Sequence, residues 1–449
     1  MGHLASEEDR SGMKHHIPEG KSDLLACAET FGTPLYVYDT QVINERIRML
    51  LDSLHPSVRL MYSLKANPNP TLVSHIHRQG LGLEICSAGE LETALAAGAT
   101  PDQMMYVGPG KSLGELERIL DIGIHYIIVE SLQELQILER LAVERELRVG
   151  VGLRFNPQTA IHGARLKMGG TARQFGIDEK QLDEAVTMIA LSEHLRLSGI
   201  HAYYGTRILS AQTLAANLSY VLDFAERFMV AHGLELDYVG VGGGFGVPYY
   251  ENEQALDLKE FRSRTYGLID AFRSRYPVIE LLAESGRFLM AEAGSYLSSV
   301  RYTKESQGKQ FAITDGGTNH HAAAGGAGSL LRRHFPVYAW ARDMTAAEVP
   351  VTITGPLCTP ADLLAEDVML PPLQPGDVIA VLNSGAYGLT MSPVLFLSHG
   401  IPREVLLHEG AAILIRDRDE WSLPRIRLLP HREVRACVAN EDGQEHTSE

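Results

Sequence analysis

Eight short β-branched runs, each leading into a longer stretch of helical period, constrain this chain more than any other feature. They are RLMYSLKA (59–66), GLEICS (82–87), MMYVGP (104–109), HYIIVES (125–131), RVGVGLRFN (148–156), LRLSGIHAY (195–203), LDYVGVGGG (236–244) and VIELLAES (278–285). Between them, segments such as GELETALAAG, SLGELERILDIG, LQELQILERLAVER and AQTLAANLSYVLDFAERFMVAHG place apolar residues three and four apart, the spacing of one helix face. Eight β units each leading into a helix imply an α/β fold with a closed parallel (β/α)8 TIM barrel. An open doubly wound sheet is the alternative that the same rhythm allows.

After residue 290 the rhythm changes. SYLSSVRYT, KQFAITDGG, VPVTITGP, DVIAVLNSGAYG and EVLLHEGAAILIR follow with turns and almost no long helix between them, which reads as an antiparallel β domain. PLYVYD (34–39) either adds a strand to that domain or leads into the barrel. The expected organisation is a polar extension over 1–30, the barrel over 31–290, the β domain over 291–430 and a polar tail over 431–449.

Composition narrows the partners. The 449 residues exceed one ordinary core, and 45% hydrophobic with 21% charged residues is the balance of a globular protein. The net charge is −16 and no Lys/Arg run is long enough to follow a phosphate backbone, so nucleic acid is not an expected partner. No stretch approaches about 18 uninterrupted apolar residues, so neither is a membrane. Cys27, Cys86, Cys358 and Cys437 are widely spaced without a CxxC pair, which argues against a disulfide framework and a zinc site. A polar, acidic start without an apolar targeting segment completes the expectation of a reducing cytoplasm, with His15 and His16 solvated.

In a (β/α)8 barrel the active site lies at the carboxyl ends of the strands, and the unusual polar residues fall there. Lys65 ends the first run, Ser87 the second, Glu130 and Ser131 the fourth, Arg154 and Asn156 the fifth, His201 the sixth and Gly242, Gly243 and Gly244 the seventh; Glu284 and Arg287 follow the eighth. A lysine partly desolvated before a Pro-interrupted turn can have a lowered pKa, as a Schiff-base amine requires; a rim salt bridge is the plain alternative for Lys65. GVGGGFG (240–246) can turn successive backbone N–H groups toward a phosphate, but Phe245 and Val247 break the dinucleotide spacing and a tight turn needs the same glycines. ESGR (284–287) sets a carboxylate three residues before a guanidinium, suited to gripping a heterocyclic nitrogen and an anion, or to pairing internally.

In the second domain, Cys358 lies in a Gly/Pro-rich turn, GPLCTPADLLAED, with Thr359 and Asp362 just after it; most buried cysteines are inert. Tyr387 in GAYG can offer its hydroxyl to an anion or simply pack. His320 and His321 are adjacent, and neighbours seldom share one ligand sphere, so no metal is assigned.

Taken together, YSLKANPNP, EICSAGEL, GPGKS, VES, FNP, QFGID, GIHAYYGT, GGGFGVPY, ESGR, GPLCTPAD and GAYG resemble the diaminopimelate/ornithine decarboxylase family, the fold-type III pyridoxal-phosphate enzymes, in family order over about residues 30 to 415. The resemblance implies an alanine racemase-like pair of domains, pyridoxal 5'-phosphate as cofactor, and a head-to-tail homodimer with shared active sites. By it, Lys65 would carry the cofactor, His201 would stack on the ring, and Glu284 would keep the ring nitrogen protonated. The phosphate would lie on Gly242, Gly243, Gly244, Gly286, Arg287 and the Tyr387 hydroxyl. Cys358 of the other subunit would protonate the α carbon after CO2 leaves. Arg154, Arg287, Thr359 and Asp362 are the substrate candidates. Retention of the lysine, the cysteine and the phosphate loop opposes a non-catalytic regulator, and Glu284 with Cys358 opposes a racemase.

Departures bear on substrate. Family members acting on diaminopimelate or ornithine place an acidic residue directly after the cysteine, where this chain has Thr359. Without it a distal ammonium loses a charge-assisted partner worth ~1.5–3 kcal/mol, unless Asp362 or a barrel residue substitutes. Gln174, the GTR at 205–207 and TNHHAAAGGAG also leave the lysine-pathway pattern. The combination is similar to decarboxylases of secondary metabolism, particularly the one acting on a glutamyl group tethered to an acyl-carrier protein in butirosin biosynthesis. Diaminopimelate decarboxylation to L-lysine is the competing expectation. Residues 318–334 read as a lid, a pantetheine entrance or an ordinary surface loop, and Arg332 and Arg333 either meet an anionic group or a carrier protein, or are solvated.

Overall fold

A computed structural model of the chain describes residues 22–157, 166–167, 174–250, 252–324 and 333–418. His15, His16, Arg332 and Cys437 lie outside the described residues, as does most of the Gly/Ala-rich part of 318–334.

All eight runs are strands. In chain order they are Val58–Ser63, Gly82–Ile85, Met104–Tyr106, Tyr126–Val129, Val149–Asn156, Leu195–His201, Tyr238–Gly242 and Glu280–Ser285, each parallel to its neighbours. The last pairs with the first, Glu284 opposite Met61, and this closure excludes an open sheet, which would leave two edges. The barrel is plugged from within by Met61, Met105, Tyr126, Ile128, Tyr238 and Leu282. Tyr238 reaches the axis because glycines face it: a Cβ on Gly152 or Gly199 would approach its side chain to 2.2 or 2.4 Å. The plug confines chemistry to the strand carboxyl ends. Ser87 and Ser131, which follow two of the strands, are used as helix N-caps, accepting from the N–H groups of Glu90 and Glu134.

The second sheet has nine strands. Leu35–Asp39 lies inside it, between Gly294–Ser306 and Arg403–His408. Most pairings are antiparallel, but Leu35–Asp39 runs parallel to Arg403–His408, and Lys309–Thr314 to Val349–Thr354. Both parallel pairs join strands separated by a long excursion of the chain, which a reading of successive turns does not reveal. Helix Ser22–Phe31 covers one face, packing Leu24, Cys27 and Ala28 on Leu35, Val37 and Leu297. Burial, with Asp23 nearby, pushes the Cys27 thiol up to about 11, the mark of an inert structural cysteine.

Loops of this sheet fold back over the barrel mouth. The Tyr387 N–H donates to the Ala66 carbonyl at 2.9 Å, and the Asn67 amide to the Gly385 carbonyl at 3.3 Å. The two domains of one chain therefore meet where the first strand ends. No described helix is long and apolar enough to cross a membrane.

Candidate active site

Strand Val58–Ser63 ends in the single turn Leu64–Ala66, which lifts Lys65 to the mouth with 38% of its side chain exposed. Its Nζ donates to Oε1 of Glu84 at 2.6 Å, and Glu84 is fully buried. The same oxygen accepts from the Cys86 thiol at 3.3 Å, while Oε2 of Glu84 has no partner. Burial alone would lower the amine, but Glu84, then Cys86 and Glu284, outweigh it and hold Lys65 well above the ordinary lysine range. The expected lowering is thus corrected: the adjacent carboxylate keeps the amine as ammonium. Glu84 was the residue missed, although a glutamate inside the apolar run GLEICS, where both faces of a barrel strand are covered, is an audible signal.

His201 ends strand Leu195–His201, and its Nε2 lies 2.5 Å from Oε1 of Glu284 on Glu280–Ser285. Burial would raise the Glu284 carboxyl; the imidazole beside it, their hydrogen bond, Lys65 and Arg154 together hold it below the ordinary carboxylate range. The imidazole fits because Gly240 faces it: a Cβ there would stand 2.5 Å from Cδ2 of His201.

The glycine loop is close-packed rather than merely flexible. A Cβ on Gly243 would fall 1.9 Å from the Glu284 carbonyl, and Gly244, at φ +93°, would meet the Gly205 carbonyl at 2.4 Å. Gly286 likewise has no room beside Ala66. Lys65, Tyr203, Gly244, Glu284, Arg287 and Tyr387 consequently line one cleft. Tyr387 comes from the same chain, in the left-handed region at φ +58°, with the Arg287 guanidinium 4.5 Å above its ring. Arg287 Nη1 donates to the Tyr249 hydroxyl at 2.9 Å.

Other predicted site residues point elsewhere. Arg154 is paired with Glu130 at 2.8 Å, and Glu130 also accepts from the N–H groups of Gly108 and Gly176; Arg154 does not line the Lys65 cleft but lies near enough to lower the Glu284 carboxyl. Asp362 is buried and accepts from the Thr318 N–H and hydroxyl and the Leu357 N–H, partners within its own turn region, and it does not line the Lys65 cleft. Cys358 is exposed on the turn after Val349–Thr354, and neither it nor Thr359 lines the Lys65 cleft. His320 and His321 are packing residues, bonded to the Gly400 carbonyl and the Ser384 hydroxyl; burial lowers them to about 4 and about 3, so both are neutral.

The cleft suits a flat nitrogen heterocycle bearing an aldehyde and a phosphate. An amine, a low-lying buried carboxylate and a glycine cradle converge, and Ser285 Oγ, Arg287 Nε and His201 Nδ1 are buried without partners.

Comparison with known proteins agrees. A family described as "Pyridoxal-dependent decarboxylase, pyridoxal binding domain" matches residues 40–291. The chain is 39% identical over 400 residues to the L-glutamyl-[BtrI acyl-carrier protein] decarboxylase of Niallia circulans, covering 88% of this chain and 94% of that protein. It is 33% identical to a diaminopimelate decarboxylase of Methanothermobacter thermautotrophicus, with 91% and 94% covered. The crystal structure of Helicobacter pylori diaminopimelate decarboxylase complexed with L-lysine superposes with a TM-score of 0.79 at 28% identity, over 88% of this chain and 96% of that one.

Proposed function

Since the chain belongs to the pyridoxal-dependent decarboxylases, we propose that it removes the α-carboxyl group of an L-amino acid whose far end is neutralised by acylation, most directly an L-glutamyl group held as a thioester on a carrier protein. That it is a pyridoxal-phosphate-dependent amino acid decarboxylase follows from the family and its relatives. The substrate reading is carried by one observation: Thr359 stands directly after Cys358, and Asp362, the nearest acid downstream, is sealed into its own turn.

When bound, the cofactor supplies an electron sink for the bond that breaks at the α carbon. Lys65 would hold the cofactor through its amine, and Glu84, 2.6 Å away, accepts a hydrogen bond from that amine and sets how readily it gives up its proton. Glu284, kept charged by the hydrogen-bonded His201 beside it, would hold the ring nitrogen protonated. Gly244, Gly286, Arg287 and Tyr387, which line the cleft, would hold the phosphate, with Gly242 and Gly243 forming the loop behind Gly244. Cys358 lies outside its own chain's cleft, so it reaches a reacting carbon only in a head-to-tail dimer, where it would return the proton after CO2 leaves.

The test is CO2 release by the purified protein from diaminopimelate, ornithine, glutamate and glutamyl thioesters. Preference for the thioesters is expected; strong turnover of diaminopimelate would overturn the reading of Thr359 and favour lysine formation.

A further inference from the structure

Three arginines and three tyrosines alternate from the surface into the cleft. Arg333 lies 5.3 Å above the Tyr250 ring, Arg207 lies 5.2 Å from Tyr250 and 5.0 Å from Tyr249, and Arg287 lies 5.6 Å from Tyr249 and 4.5 Å from Tyr387. Arg207 belongs to none of the roles assigned above. It sits at φ +62°, unusual for arginine, in a loop pressed against Gly246, whose Cβ would stand 2.7 Å from the Ile208 carbonyl.

We propose that Arg207 is the specificity-determining cation of this site, drawing in and holding a negatively charged group on the substrate remote from the reacting carbon. This rests on the decarboxylase reading above; the phosphate of a carrier arm would deepen its tethered-substrate form, whereas a distal carboxylate would count against that form and favour a free acidic amino acid. Among the described residues only Glu253 forms an ion pair with the three guanidinium groups, at 3.4 Å from Arg207, so the column carries excess positive charge in a chain whose net charge is −16. A local cluster of arginines in a body of net negative charge attracts anions, and stacking on tyrosines presents the guanidinium edges to them; the carboxylate that lines the cleft, Glu284, is paired with His201. The Nε of Arg207 is buried without an acceptor, as expected of a donor that a ligand completes. Two sources share this chemistry: the distal carboxylate of a free acidic amino acid, and the phosphate of a pantetheine arm.

The cofactor-loaded, full-length protein is titrated calorimetrically with glutarate, pantetheine 4'-phosphate and uncharged pantetheine. At least one anion should bind, weakening about tenfold in Arg207→Asn, which tolerates the positive φ, and less in Arg333→Gln, with pantetheine unchanged throughout. Loss confined to glutarate identifies the carboxylate source, and loss confined to the phosphate identifies the arm. Equal anion binding by wild type and Arg207→Asn overturns the proposal, as does no anion binding by wild type, or pantetheine weakening as much as its phosphate. CO2 release is scored separately: anion preference without turnover of glutamyl compounds supports the role of Arg207 while counting against the proposed reaction.

Discussion

His201 and Glu284 meet at 2.5 Å at the barrel mouth, each with only 2% of its side chain exposed. They come from the sixth and eighth strands, which flank the seventh in the sheet, so the pair spans one intervening strand, whose Gly240 leaves room for the imidazole. A buried carboxylate is tolerable when a partner compensates its charge, and this one is held low by that partner.

Replacing Glu284 with Gln should therefore destabilise the protein by about 3 kcal/mol at pH 7. The Glu284 carboxyl is lower when folded than when unfolded, so its contribution is fully present above about pH 4.3, the ordinary glutamate value, and is lost as pH falls through the folded value. Urea midpoints of wild type and Glu284→Gln should differ at pH 7 and approach one another as pH falls below the ordinary glutamate value. A gap that does not change with pH would contradict the pairing.

The Lys65 amine should be released by changing Glu84. The largest influence on the amine is burial, which lowers it, and Glu84 is the foremost opposing charge. Glu84→Gln should thus increase the free-base fraction near pH 7 and change the rate at which pyridoxal phosphate is captured, followed by absorbance. Lys65→Ala should abolish covalent capture altogether. Because the folded amine is raised, its contribution to stability persists below about pH 10 and is lost only above it, so neutral pH should show no Lys65-dependent slope. Unaltered capture in Glu84→Gln would show that this carboxylate does not govern the amine.

Shared active sites can be tested by complementation. Lys65→Ala and Cys358→Ala should each be severely impaired alone. Mixed and allowed to exchange subunits, they should recover about a quarter of wild-type turnover, because half of the dimers are mixed and each has one intact site. No recovery despite demonstrated exchange would place both residues in one chain's site.

Thr359→Glu should redirect specificity. A carboxylate after Cys358 gives a distal ammonium the partner that wild type lacks, so kcat/KM for diaminopimelate or ornithine should rise at least about tenfold while that for a glutamyl thioester falls. Comparable values in both proteins would mean that position 359 does not face the substrate.

Much of this was legible in the sequence. The eight strands were visible because each apolar run is bounded by turns and followed by an amphipathic stretch, and Lys65, His201 and Glu284 were visible as polar residues where such runs end. Arg154 and Asp362 were equally visible yet differ in use: the first meets Glu130 and the second meets backbone N–H groups, partners that spacing along the chain does not disclose. Glu84 stood out in the sequence only as a lone acid within an apolar run; its pairing with Lys65, and so the charge that reverses the expected shift, arises only in the fold.

The chain's linear order determined which residues become strands, where those strands stop, and hence which side chains reach the mouth of the barrel, since periodicity and turn chemistry act between near neighbours. Only the folded molecule decided who faces whom: Lys65 with Glu84, His201 with Glu284, Tyr387 beneath Arg287, and the strand Leu35–Asp39 beside one that begins at Arg403. Charge, burial and hydrogen bonding act through space over a few ångströms, and those distances are set by which strands lie side by side in each sheet and by the loops that the second domain folds over the barrel mouth.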